Sequence, residues 1–121
     1  MALKKDMRKF MRAPARIKVL MSDEEGEGFV YFTSRDLSAG GIYLVSDLLL
    51  EEGASVALEF TLPTHKQAVS VKGKIAWTKD EYDAGQAHIP PGMGVEFINL
   101  SPANLGIIEK YVSSSMKIAR K

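Results

Sequence analysis

The chain has 121 residues and no cysteine, which suits one ordinary domain with a core of its own and excludes disulfides, thiolate metal sites and cysteine nucleophiles. Its net charge is only +1, but residues 1–20 carry Lys4, Lys5, Arg8, Lys9, Arg12, Arg16 and Lys18 against the single acid Asp6, while residues 21–109 are strongly acidic. A basic arm on an acidic body fits a small anionic ligand better than a nucleic-acid track, which the body would repel.

The first ten residues lack the apolar run of a secretory signal, and no later stretch has the length to span a bilayer, so the chain reads as soluble and cytoplasmic. Residues 1–14 read as a flexible basic arm. From Ala15 to Met21, Ile17, Val19 and Met21 alternate with Arg16 and Lys18, which predicts a half-buried strand. Ser22 to Gly28 reads as a hairpin loop, and Phe29 to Arg35 as a second strand that runs into the polar turn Asp36-Leu37-Ser38-Ala39-Gly40-Gly41.

Ile42 to Ser46 follows as a third strand and Ala54 to Leu62 as a fourth, stopped by Pro63. Ala68 to Lys79 alternates most cleanly, and its pattern puts Val69, Val71, Ile75 and Trp77 on one apolar face, with Trp77 in the core. Asp80 to Gly92 reads as a long loop and Met93 to Leu100 as the last strand. Ser101-Pro102 is a helix start, after which Leu105, Ile108, Val112 and Met116 recur at helical spacing. Residues 15–100 are therefore expected to form a closed or sandwiched all-β domain, and residues 101–121 a C-terminal amphipathic helix of the same domain.

Two stretches carry recognisable chemistry. Arg8 and Arg12 stand four residues apart, and an arginine fork can meet N7 and O6 of guanine, stack on a purine or clamp a phosphate. Asp36 and Ser38 offer a carboxylate and a hydroxyl at the end of a strand, suited to the N1-H and exocyclic amine of guanine. Gly41 supplies a backbone angle or a close approach that a side chain would forbid. Each stretch alone has a plainer reading, a basic tail for the first and turn capping for the second; both in this order, around one hairpin, are a rarer coincidence.

Other chemistries are not indicated. His65 and His88 sit in predicted loops without metal-ligand spacing, so no metal site is expected. There is no G-x-S-x-G elbow and no Walker-type phosphate loop, and no enzymatic activity is expected.

The paired stretches resemble those of the PilZ domain family, whose hallmark is R-x-x-x-R ahead of the first strand and D/N-x-S-x-x-G after the second: here Arg8, Arg12, Asp36, Ser38 and Gly41. The similarity extends to Ala13-Pro14, Leu62-Pro63, Gly73-Lys74-Ile75-Ala76-Trp77 and Gly92-Met93-Gly94-Val95-Glu96-Phe97. It implies a six-stranded antiparallel β-barrel that binds the bacterial second messenger cyclic di-GMP, with an arginine arm that folds over the ligand and signals to a protein partner in motility, pili or exopolysaccharide. By the same resemblance Arg8 and Arg12 would hold guanine edges and phosphates, Asp36 and Ser38 the opposite guanine edge, and Gly41 would shape the turn. Met7 stands where many relatives carry a further basic residue, which implies one ligand molecule per chain; Glu96 would repel a phosphate if it faced the site. Two rival expectations are a nucleotide-independent adaptor of pilus or flagellar machinery, and a DNA-binding protein gripping phosphates through its basic ends. Nucleic acid ranks last because the body is acidic.

Overall fold

A computed structural model of the chain describes residues 11–80 and 90–120, with side chains through Ser115. Among these residues seven strands and one helix follow in order: β1 (Ala13–Pro14), β2 (Lys18–Asp23), β3 (Val30–Leu37), β4 (Gly41–Val45), β5 (Ser55–Phe60), β6 (Val69–Lys79), β7 (Gly92–Ile98) and α1 (Pro102–Arg120). All strand pairs are antiparallel, in the order β1-β3-β2-β5-β6-β7-β4, and a β3–β4 pairing closes β2 to β7 into a six-stranded barrel. The short β1 is an addition to the β3 edge. Closure removes the exposed edges that an open sheet would offer to other chains.

Alternation along the strands fills the barrel. Val19, Leu37, Ile42, Leu44, Leu58, Val69, Ile75 and Met93 are fully buried and form one core cluster. The β2–β3 hairpin is set by Asp23, whose carboxylate accepts the backbone N–H groups of Glu25 (3.0 Å) and Glu27 (2.8 Å). Ser101 caps α1 by accepting the Asn104 N–H at 3.1 Å, with Pro102 in the first turn where its missing N–H costs nothing. Ile108 and Val112 enter the core from this helix. At ordinary transfer values, burying a side chain such as Ile108 contributes roughly 1.5–3 kcal/mol.

Irregularities in two strands matter more for the site than the regular ladder does. In β3 the register against β4 shifts between Ser34 and Asp36, and in β6 the register against β7 shifts between Ile75 and Trp77. Each shift places one extra residue on the bulged strand, so the residue beyond it turns to the opposite face from the one alternation predicts. Trp77 is accordingly on the outer surface, 39% exposed, and not in the core that its alternation with Val69, Val71 and Ile75 indicates. Up to Ile75 that alternation holds.

Candidate functional site

The approach of the N-terminal segment to β3 fixes the site. Ala13 pairs with Leu37 and Pro14 with Asp36, and the ladder continues through Ala15 N–H to Arg35 O (3.0 Å) and Ser34 N–H to Ile17 O (2.9 Å). Buried Ser34 reinforces it: its hydroxyl donates to the Ala15 carbonyl and accepts the Ile17 N–H at 3.1 Å. Nothing in the local pattern marks Ser34 for this role. The consequence is that Arg12, one residue ahead of β1, is delivered to the end of β3.

There the guanidinium of Arg12 meets both polar residues of the turn. Its Nε donates to Asp36 Oδ1 at 2.8 Å, its Nη2 lies 2.6 Å from the same oxygen, and its Nη1 donates to Ser38 Oγ at 3.1 Å. Asp36 and Ser38 converge on Arg12 although β3 ends at Leu37 and Ser38 already belongs to the turn. Ser38 is 1% exposed and its hydroxyl also accepts the Gly40 N–H at 3.1 Å, so it caps the turn and touches the arginine at once. The other carboxylate oxygen, Asp36 Oδ2, accepts from Arg35 Nη1 at 2.7 Å. Arg35 is the extra residue of the β3 bulge, and the sequence gives it no distinguishing period.

Gly41 opens β4 directly opposite Glu96 of β7, and a β-carbon there would collide with the carbonyl of Val95. Its role is close approach between strands. Glu96 stands on the exposed outer face between Gly41 and Lys74 of β6, one strand away from the turn. Arg8 and Met7 lie outside the described residues.

An aromatic pair extends the site sideways. Asp36 registers with Tyr43, Tyr43 with Gly94, and Gly94 with Trp77, giving one row across β3, β4, β7 and β6. Gly94 leaves the row flat, because a β-carbon on it would run into the indole of Trp77. Tyr43 and Trp77 stack over this lane, centroids 5.1 Å apart and planes at 23°. The Tyr43 hydroxyl donates to the Pro90 carbonyl at 2.6 Å, and burial raises its pKa above the ordinary 10.0; nearby Arg35 works against the shift and Asp36 adds to it. Sequence reasoning missed this platform, although glycines at alternate positions of β7 signal a lane that a large side chain from a neighbouring strand can fill.

A groove of about 480 Å³ lies elsewhere, on the outer face of β2, β5 and β6 between Phe29, Ala57, Lys72 and Ile98, and shares no residue with this site. Among the described residues no cluster of His, Cys, Asp or Glu is suited to hold a metal ion, and no helix is long and apolar enough to cross a membrane.

The sequence pattern of the PilZ domain matches residues 6–114, nearly the whole chain. The chain belongs to the PilZ domain family. PilZ domains are receptor or adaptor domains, and this one shares its fold with solved structures at low identity. The Bacillus subtilis inhibitor of motility MotI/DgrA superposes with a TM-score of 0.77 at 19% identity, over 94% of this chain and 53% of that one. The PilZ domain of YcgR from Escherichia coli, solved with c-di-GMP, gives 0.64 at 18% identity, over 93% of this chain and 94% of that one. A longer YcgR chain in complex with c-di-GMP gives 0.72 at 18% identity, over 93% of this chain and 47% of that one. This PilZ domain thus spans about half the length of the MotI and longer YcgR chains. A comparison with proteins of curated function finds no match.

Proposed function

We propose that this PilZ domain is a receptor for cyclic di-GMP, which it binds at the rim formed by Arg12, Asp36 and Ser38, with Arg8 of the arm as the second arginine. The observation that carries the reading is the meeting of the two sequence stretches: an arginine ahead of the barrel reaches a carboxylate and a hydroxyl 24 and 26 positions further along. Family membership and the YcgR structures solved with c-di-GMP support it.

The chemistry is complementary on each side. Asp36 accepts from the N1-H and amine of one guanine, and the arginines pair with N7 and O6 or with the phosphates. The exposed indole of Trp77, on the same row as Asp36 and roughly 14 Å away at ~4.8 Å per strand, gives a base a flat apolar surface. Gly41 keeps the strand against β7, so the turn holds Ser38 in place. Arg12 must leave Asp36 for the ligand, which links binding to a change in arm position; a protein partner in motility, pili or exopolysaccharide reads that change. Met7, where many relatives carry a further basic residue, favours one ligand molecule per chain.

Calorimetric titration with cyclic di-GMP tests the proposal. The expected result is saturable heat at one ligand per chain that Arg12→Ala and Asp36→Ala abolish or weaken at least tenfold; no binding heat at millimolar ligand overturns it.

A further inference from the structure

Asp36 is held from both sides: Arg12 takes Oδ1 through Nε and Nη2, and Arg35 takes Oδ2 through Nη1. Only Arg12 belongs to the paired stretches that led to the site. Arg35 reaches the carboxylate because the β3 bulge, with Ser34 registering with Leu44 and Asp36 with Tyr43, leaves it as the unpaired extra residue beside Asp36. Ser34 is turned inward and clamped to Ala15 and Ile17, so the backbone on which both charges ride is fixed. The Arg35 side chain is 45% exposed and the Asp36 side chain 17%, an arginine at the surface on a largely covered acid.

We infer that Arg35 is a standing counter-ion for Asp36, a positioning residue that loosens the hold of Asp36 on Arg12 and so keeps Arg12 available to an anionic ligand. Two guanidinium groups on one carboxylate share its charge and repel each other, so each is bound less tightly than it would be alone. When Arg12 swings to a phosphate or a guanine edge, Arg35 keeps the charge of Asp36 compensated and its remaining lone pairs directed outward. Without Arg35, Asp36 would hold Arg12 more tightly and face the incoming phosphates as a bare anion. Both consequences lower apparent affinity. Arg35 acts through Asp36 and makes no contact of its own with the ligand.

The role of the ligand rests on the receptor reading above, but the hold on Arg12 can be read without any ligand. The first measurement is hydrogen exchange of the Arg12 Nε–H by NMR in the full ligand-free chain. Arg35→Ala is expected to slow it about two- to fivefold, the range of one exposed charge pair. Arg35→Lys restores most of the rate, and Arg35→Ala has no effect in an Asp36→Asn background, where an acceptor oxygen remains but the charge is gone. Unchanged or faster exchange in Arg35→Ala overturns the inference, as does slowing that persists with Asp36→Asn. The second measurement is cyclic di-GMP affinity: Arg35→Ala weakens it about two- to fivefold with Asp36 present and leaves it unchanged with Asp36→Asn. A loss that persists in that background means Arg35 touches the ligand itself and overturns the positioning role. Failure of the unaltered chain to bind overturns the receptor reading alone, because the exchange data still decide the part played by Arg35.

Discussion

Two contacts, one of β1 and one of the residue just ahead of it, contrast in kind. On one side the Tyr111 hydroxyl of α1 donates to the Pro14 carbonyl at 2.7 Å, beside a helix whose Ile108 and Val112 are sealed into the core. On the other, Arg12 reaches Asp36 and Ser38 through polar contacts at a partly open surface. Apolar burial on the helix side cannot be exchanged for anything water offers, whereas each contact of Arg12 can be replaced by a ligand oxygen or nitrogen at little net cost. The same short strand therefore joins a permanent anchor to an exchangeable latch.

The contrast can be broken most forcefully at its anchored side. Ile108→Ala should remove about 2–5 kcal/mol of stability, measured by urea unfolding, while cyclic di-GMP affinity of the chain that remains folded changes little. A parallel loss of affinity would mean that the anchor and the latch are one unit. At the latch, Arg12→Ala should leave stability within about 0.5 kcal/mol and weaken ligand binding at least tenfold, about 1.4 kcal/mol or more, read by calorimetry.

Between the two lies the aromatic lane. Gly94→Ala forces Trp77 off β7 and should cost about 1–3 kcal/mol, with a shift in tryptophan fluorescence that reports the displaced indole. Tyr43→Phe removes the hydroxyl bond to Pro90 and is expected to cost about 0.5–1.5 kcal/mol. It also supplies the pH test. Because burial raises the folded-state pKa of Tyr43 above 10.0, its contribution is complete below pH 10 and is lost as pH rises through the folded value. Unfolding midpoints should therefore fall more steeply above pH 10 in the unaltered chain than in Tyr43→Phe.

Much of the architecture was legible in residue order. Alternation in β2, β5 and the first part of β6 located strands and their buried faces, and Ser101-Pro102 located the start of α1, because these signals depend on neighbours a few positions apart. The chemistry of Asp36 and Ser38 was likewise visible as a polar turn, and Arg12 as half of a spaced pair. The partnership of Arg35 with Asp36 and the outward face of Trp77 were not, since each depends on a bulge.

What the sequence by itself determined is the six strands of the barrel, the capped helix, the family resemblance and the residue types that suit a guanine; β1 fell in the segment that reads as an arm, because its two residues are held only by pairing with β3. The tertiary structure alone decided which of those residues meet. An extra residue in β3 or β6 reverses every side chain beyond it, and whether a strand takes up that residue depends on the partner strand across the barrel. Arg12 reaches Asp36 because Ser34 clamps residues 15–17 against β3, and Trp77 lies on Tyr43 because β7 leaves it a glycine lane. Those are contacts between segments distant in sequence, and no local pattern encodes them.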